Sequence, residues 1–271
     1  MKKTNGVNKL IIAGILLYLF IPLAATLLFS IAGRWQTTVL PEYLTFKWYL
    51  QMFSDSRFLL SMLRSFAASA ASVLLGLAVM IPAIFIITVY FPKLDKYLNI
   101  IVTTPFAIPG VVFAVGLIKF YSKGPLPIAG TVWILIGAYF VLIMPYLYQA
   151  IRNSLDTINV IVLMDAAEML HASKPQAFFR VILPNILKGV IVATLLSFSI
   201  LFGEFVLTNL LVGGHYETVQ VYLFNKRAES GHFTSAVVIT YFVVILILSI
   251  FVFKIENVFN KSTSVAGEEH L

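Results

Sequence analysis

The sequence predicts an all-α membrane protein, a single domain over residues 1–271 that crosses the bilayer six times. Three observations lead there. Hydrophobic residues make up 60% of the 271 positions and charged residues only 11%. Mean hydropathy is +0.94. The apolar residues also gather into stretches of bilayer length, since about 20 residues at 1.5 Å rise cross a hydrocarbon core of about 30 Å. A soluble domain carries roughly a quarter charged residues, so this chain has less than half the polar cover that a water-facing surface needs. An ordinary cytosolic enzyme and a disordered chain are therefore excluded. The chain has no cysteine, which removes disulfides, thiolate metal sites and cysteine nucleophiles. In a membrane chain, a net charge of +7 points to orientation and anionic lipid rather than nucleic acid.

The first span is residues 10–31, behind the basic start Lys2, Lys3 and Lys9. Its apolar run exceeds the roughly 7–15 residues of a cleaved signal peptide, so it reads as an uncleaved span. The others are residues 66–90, 98–120, 131–149, 187–211 and 233–253. With the N-terminus inside, eleven Lys and Arg lie on the inner side and eight outside. That modest bias favours both termini in the cytoplasm. Pro22, Pro82 and Pro145 are single prolines and read as kinks. Trp35, Trp133 and Tyr222 read as interfacial anchors.

Span three is different, because it contains Pro105 and Pro109 four residues apart, followed by Gly110. Two prolines remove two helix hydrogen bonds, and backbone freed at membrane depth must be buried in protein or face a water-filled cavity. Pro105, Pro109 and Gly110 are thus candidates for a translocation path, with a packing kink as the alternative. The only carboxylate well inside a span is Glu204, next to Gly203. It reads as a gate or solute contact, an ion-pair partner, or a structural group at a helix break. One intramembrane carboxylate is thin support for a carrier that binds its own coupling ion.

The segment 153–184 between spans four and five is a loop by position and helical by pattern. Asp156 or Thr157 supplies a cap, after which Ile158, Ile161, Val162, Asp165, Ala166 and Met169 share a face. Ser173-Lys174-Pro175-Gln176 is a capping box for a second short helix that Pro184 is expected to stop. An apolar helical turn facing the cytoplasm is costly unless a partner covers it. It reads as a docking element, with membrane-surface contact as the alternative.

These residues carry a resemblance. Asp165-Ala166-Ala167-Glu168-Met169-Leu170-His171-Ala172-Ser173, with Gln176, Phe178, Phe179, Arg180, Val181, Leu183 and Pro184 behind it, resembles the EAA signature of binding-protein-dependent ABC importer permeases. That family's pattern is E-A-A-x-x-x-G-A-S, then F-x-x-V-x-L-P. The resemblance implies the type I importer permease fold. It implies that Asp165, Ala166, Ala167, Glu168, Leu170, His171, Ala172 and Ser173 form a coupling helix that docks on a separate ATPase. Two departures stand out: Asp165 replaces the leading Glu, and His171 replaces the Gly expected where the backbone takes φ > 0. His tolerates that region better than most non-Gly residues.

The implied partners are two ATP-binding subunits, a second permease subunit (identical or sister) and an extracytoplasmic solute-binding protein. This chain holds no cofactor in that scheme; ATP and Mg sit on the partner ATPase. The location implied is a bacterial cytoplasmic (inner) membrane. The stretch Phe202-Gly203-Glu204-Phe205-Val206, with Leu211-Val212-Gly213-Gly214 and Glu217 to Tyr222 after it, is similar to the polyamine, ferric-iron and aminophosphonate branch.

Several chemistries have no carrier in the sequence. No G-x-x-x-x-G-K-[ST] occurs, so no phosphate-cradling loop for ATP is present. The four histidines, His171, His215, His232 and His270, show no metal-site spacing. His215 and His232 read as solvated or packed loop residues. The chain is expected to be a transporter subunit and not an enzyme. The rival class is a secondary carrier or channel that works without ATP.

Overall fold

The structure is a computed structural model that describes residues 6–35, 37–123 and 125–268. Lys2, Lys3 and His270 lie outside the described residues, as do the side chains of Phe253 and Lys261. The helices are α1 (Gly6–Ile31), α2 (Lys47–Ser54), α3 (Ser56–Tyr90), α4 (Asp95–Thr103), α5 (Gly110–Tyr121) and α6 (Val132–Thr157). After them come α7 (Val160–Met169), α8 (Lys174–Ala177), α9 (Leu183–Phe202), α10 (Val206–Leu211), α11 (Val219–Lys226) and α12 (Gly231–Glu268). The departure from an all-helical chain among the described residues is a small antiparallel pair, β1 (Ala32–Arg34) and β2 (Tyr43–Leu44).

Among the described residues, five helices are long and apolar enough to cross a membrane: Asn8–Ile31, Ser56–Tyr90, Val132–Thr157, Lys174–Phe202 and Gly231–Phe251. A bent pair, Pro92–Ala107 and Gly110–Tyr121, makes a sixth when it is counted as one broken span. Pro22, Pro82 and Pro145 each lie inside a continuous helix.

Three expected boundaries are corrected. The helix of the second span starts at Ser56, ten residues before the expected Phe66. The fourth span runs past Gln149 to Thr157, where Asp156 pairs with Arg152 and Thr157 donates its hydroxyl to the Asn153 carbonyl. These two residues therefore finish a helix instead of capping the next. The fifth span does not reach Leu211. It ends at Phe202, and Gly203 separates it from α10.

Pro184 does not stop a helix either. The backbone runs from Lys174 to Phe202 through one π-helical turn, Phe178–Ile182, that precedes the proline. A wider turn shifts the hydrogen-bond register, so a residue without an N–H and with a bulky ring fits. The Asn185 side-chain amide donates to the Val181 carbonyl at 2.7 Å, satisfying an acceptor in that turn.

Contacts divide the chain into two compact units, Met1–Leu60 with Tyr222–Leu246, and Ser61–Val221 with Ile247–Leu271. In the first unit α1 is apolar all round and none of its spanning window is buried, the pattern of a helix solvated by lipid tails. Aromatic and polar contacts among half-buried side chains help to hold this unit together. The Trp48 indole N–H donates to the Ala32 carbonyl at 2.8 Å, and His232 stacks on Phe29 with ring centroids 4.0 Å apart.

Tyr222 is not an interfacial anchor. It is fully buried, and its hydroxyl donates to Asp55 Oδ2 at 2.7 Å. The other Asp55 oxygen accepts the Arg57 N–H at 2.8 Å and caps α3. Burial works against the Asp55 charge. The Tyr222 hydroxyl, the backbone N–H groups and Lys226 outweigh it and hold the carboxyl below its usual value.

In the second unit the core is built chiefly by α6 against α9. Leu135, Ile143, Leu147, Ile151 and Leu155 face Ile182, Ile186, Val190 and Ala193 in one buried cluster. The two helices approach closely at Gly189. A methyl added there would overlap the Ser154 hydroxyl, which itself bonds the Ala150 carbonyl at 2.7 Å.

Candidate coupling loop and translocation path

The loop between the fourth and fifth spans is set by two left-handed residues. Asn159, at φ 50°, ends the run of α6 and starts α7 in a new direction. Asn adopts this conformation more easily than most residues. On α7, Val160, Met164 and Ala167 face inward, while Ile161, Val162, Asp165, Ala166, Glu168 and Met169 are exposed.

At the far end His171 takes φ 60°. Its N–H bonds the Glu168 carbonyl at 2.9 Å, and the Ala172 N–H reaches back to the Ala167 carbonyl at 3.0 Å. This pair of bonds is a Schellman cap, in which the left-handed position is usually Gly. Ala167 is the residue whose carbonyl closes that cap, and it is 6% exposed. It supports the bend from beneath, while Met169 and Leu170, each 83% exposed, form its crest.

Beyond the bend, Ser173 opens α8. Gln176 Oε1 accepts both the Ser173 N–H at 2.9 Å and the Ser173 hydroxyl at 3.0 Å. The loop rests on the end of α3, where Phe85 and Phe178 rings lie 4.6 Å apart and the Lys174 ammonium sits 4.8 Å over the Tyr90 ring.

The proline pair breaks span three outright. Pro105 sits in the 3-10 turn Thr104–Ala107, Ile108 is extended, and Pro109 precedes α5 with ψ 135°. A residue before proline is pushed out of the helical region, and proline is accepted only at a helix start. Together these produce a bend of 104°. The hydroxyls of Thr103 and Thr104 donate back one turn to the Asn99 and Ile100 carbonyls at 2.6 and 2.7 Å, a back-bonding that favours bending of the helix end. Pro109 and Gly110 are exposed and Pro105 is partly buried.

Glu204 lies at the second break. Its Oε1 accepts the Leu207 N–H at 2.8 Å, and its Oε2 accepts the Thr208 N–H at 3.0 Å and the Thr208 hydroxyl at 3.2 Å. The carboxylate therefore caps α10, where free N–H groups and the helix dipole both favour negative charge. Thr208 in turn shares a 2.5 Å hydrogen bond with the buried Tyr139 of α6. No ion-pair partner of Glu204 is seen among the described residues.

The two breaks meet, because α5 packs on α10. A methyl added at Gly110 would lie 3.8 Å from Val206 Cγ1, two residues after Glu204. Sequence reasoning missed Tyr139 and Thr208. Their only signal was polar residues in apolar stretches.

Residues 80–264 match the model of the family of binding-protein-dependent transport system inner membrane components. The chain belongs to that family. It is a multi-pass inner-membrane permease subunit of an ABC importer. The putative 2-aminoethylphosphonate transport system permease protein PhnV of Salmonella typhimurium is 27% identical over 246 residues, covering 90% of each chain. The Fe(3+)-transport system permease protein FbpB 2 of Haemophilus influenzae is 27% identical over 181 residues, which span 65% of this permease and 35% of that protein.

Among solved structures, a bacterial ABC transporter involved in the import of the acidic polysaccharide alginate superposes with a TM-score of 0.72 at 14% identity. That match covers 92% of this permease and 94% of the other chain. The MetNI methionine ABC transporter in an inward-facing conformation gives 0.60 at 16% identity, covering 76% and 99%. These likenesses establish the importer permease fold.

Proposed function

We propose that this permease imports a small polar or charged solute of the aminophosphonate, ferric-iron or polyamine type. Energy reaches it through residues 153–184, which dock on a separate ATP-binding subunit. The observation that carries the docking reading is the crest of the bend, where Met169 and Leu170 stand 83% exposed at a position capped from within. Large apolar side chains held out in this way need a partner to cover them. Asp165 and Glu168 are exposed beside the crest and would meet polar groups of that partner, while Ala166, Ala172 and Ser173 leave room for close approach.

The assembly that fits this arrangement has two permease subunits, two ATP-binding subunits and an extracytoplasmic solute-binding protein. ATP and Mg belong to the ATP-binding subunits, and both termini of this chain face the cytoplasm. The solute class is supported by the 27% identity to the putative 2-aminoethylphosphonate permease along 90% of both chains. Pro105, Pro109, Gly110 and Glu204 would line or gate the path where the two breaks meet. ATP-driven closure of the ATPases would shift the permease between inward and outward states by binding one of them better.

Ala166→Arg tests the docking. The ATP-binding subunit is expected to be lost on co-purification and uptake abolished. Normal co-purification and uptake in that variant would overturn the assignment.

A further inference from the structure

Resting on the docking role of residues 153–184, we infer that Arg152 is the positioning residue that carries the loop's movement into the broken span. Arg152 lies near the end of α6, seven residues before the left-handed Asn159 that starts the loop. Its guanidinium has partners on three helices. Nη1 donates to Asp156 Oδ1 at 2.7 Å, one turn further along α6. The same nitrogen reaches Thr88 Oγ1 on α3 at 3.4 Å. Nε lies 3.3 Å from Oδ2 of Asp95, the first residue of α4.

The remaining Asp95 oxygen, Oδ1, accepts the hydroxyl of Tyr148 at 2.9 Å. Tyr148 and Arg152 are one turn apart on α6, so a single helix face holds both oxygens of the carboxylate. The head of α4 is thus clamped to the segment that feeds the coupling loop. The Arg152–Asp95 pair is about three-quarters buried, at 27% and 24% side-chain exposure, whereas Asp156 is 58% exposed. The pair to Asp95 is therefore the less screened of the two.

From Asp95 the path to the break is short and stiff. α4 continues to Thr103, the 3-10 turn with Pro105 follows, and the 104° bend leads into α5. α5 packs on α10, the helix capped by Glu204, whose Thr208 bonds Tyr139 back on α6. A rotation of the end of α6 by the docked loop must therefore drag the head of α4. Arg suits this place because its fork serves several acceptors in fixed geometry, which a lysine ammonium does not.

The test uses the complete complex with its ATP-binding subunits in lipid nanodiscs and needs no knowledge of the solute. The chain has no cysteine, so Ala107→Cys places its single thiol at the exposed end of the 3-10 turn, and labelling is read on this chain after the subunits are separated. In the parent, adding ATP with vanadate is expected to change the rate of maleimide labelling at position 107 by about fivefold or more, the size of an ordinary coupling between sites. Arg152→Ala is expected to abolish that change while ATP-binding subunits still co-purify and hydrolyse ATP.

Asp95→Asn should do the same, and the double variant should be no worse than either alone, because both remove one link. Asp156→Asn should leave the change in place. Arg152→Lys should recover part of it. An undiminished labelling change in Arg152→Ala, or no change in the parent, would overturn the inference. So would loss of the complex in both Arg152→Ala and Arg152→Lys, since Arg152 would then be holding the fold. Failure of the docking role itself shows separately, as an ATP-binding subunit that does not co-purify with the parent, and it removes this inference too.

Discussion

Replacing Glu204 distinguishes a carboxylate that builds the path from one that only contacts solute. In the structure its two oxygens accept the Leu207 and Thr208 N–H groups at 2.8 and 3.0 Å. Hydrogen bonds to a charged group contribute about 1.5–3 kcal/mol each, and loss of a helix cap costs about 0.5–2 kcal/mol. Some of that loss is recovered by water or by the Thr208 hydroxyl, so Glu204→Ala should destabilise the start of α10 by about 3 kcal/mol. Glu204→Gln keeps one acceptor and turns the other into a donor facing an N–H, which should cost about half as much.

At about 1.4 kcal/mol per factor of ten, amide exchange at Leu207 and Thr208 should quicken about a hundredfold in the alanine variant and about tenfold in the glutamine variant. Hydrogen-exchange mass spectrometry of the purified complex reads this from peptides covering 204–211, with α9 peptides as the internal control. Unchanged exchange in Glu204→Ala would refute the capping role and return Glu204 to a direct solute contact.

Three further outcomes follow from the geometry. Gly189→Val should lower the melting temperature of the complex, because its side chain overlaps Ser154 on α6; overpacking of this kind costs about 1–3 kcal/mol. Gly189→Ala combined with Ser154→Ala should recover most of that loss. Asp55 has a folded-state pKa below its ordinary value, so the stability it contributes is present above that value and is lost as pH falls through the folded one. Melting curves should show a loss between about pH 5 and pH 3 that Asp55→Asn flattens and Tyr222→Phe reduces. His171→Gly should keep ATP-binding subunits bound, since the left-handed bend at φ 60° is freely open to Gly, whereas His171→Val should weaken co-purification.

Much of the fold was legible because a bilayer leaves few options. Runs of about 20 apolar residues with charges at their ends have almost no alternative but to span. The break at Pro105 and Pro109 was legible for the same reason, since two missing donors four residues apart have no helical solution. The end of span five at Phe202 was not. Leu207, Leu210 and Leu211 continue the apolar run of the helix before them, and only the capping geometry of Glu204 divides the two.

Pro184 misled in the opposite direction. A proline normally ends a helix, and the π-helical turn that spares this one depends on backbone register that composition does not reveal. Tyr222 looked like an anchor because its partner, Asp55, lies 167 positions away in the chain. Ala167 resembled its neighbours on the loop surface until the Schellman cap fixed which alanine turns inward. Arg152 and Asp95 were visible as charges, but their pairing needed the helices to be placed.

On the proposed function, this chain conducts a solute only when driven through its loop by an ATP-hydrolysing partner. The direct measurement is uptake of radiolabelled 2-aminoethylphosphonate, ferric iron and spermidine into proteoliposomes holding either this chain alone or the full complex with its binding protein. No uptake is expected with the chain alone, and ATP-dependent uptake of one of these solutes with the complex. ATP-independent uptake by the chain alone would contradict the proposed function and make this protein a self-sufficient carrier or channel.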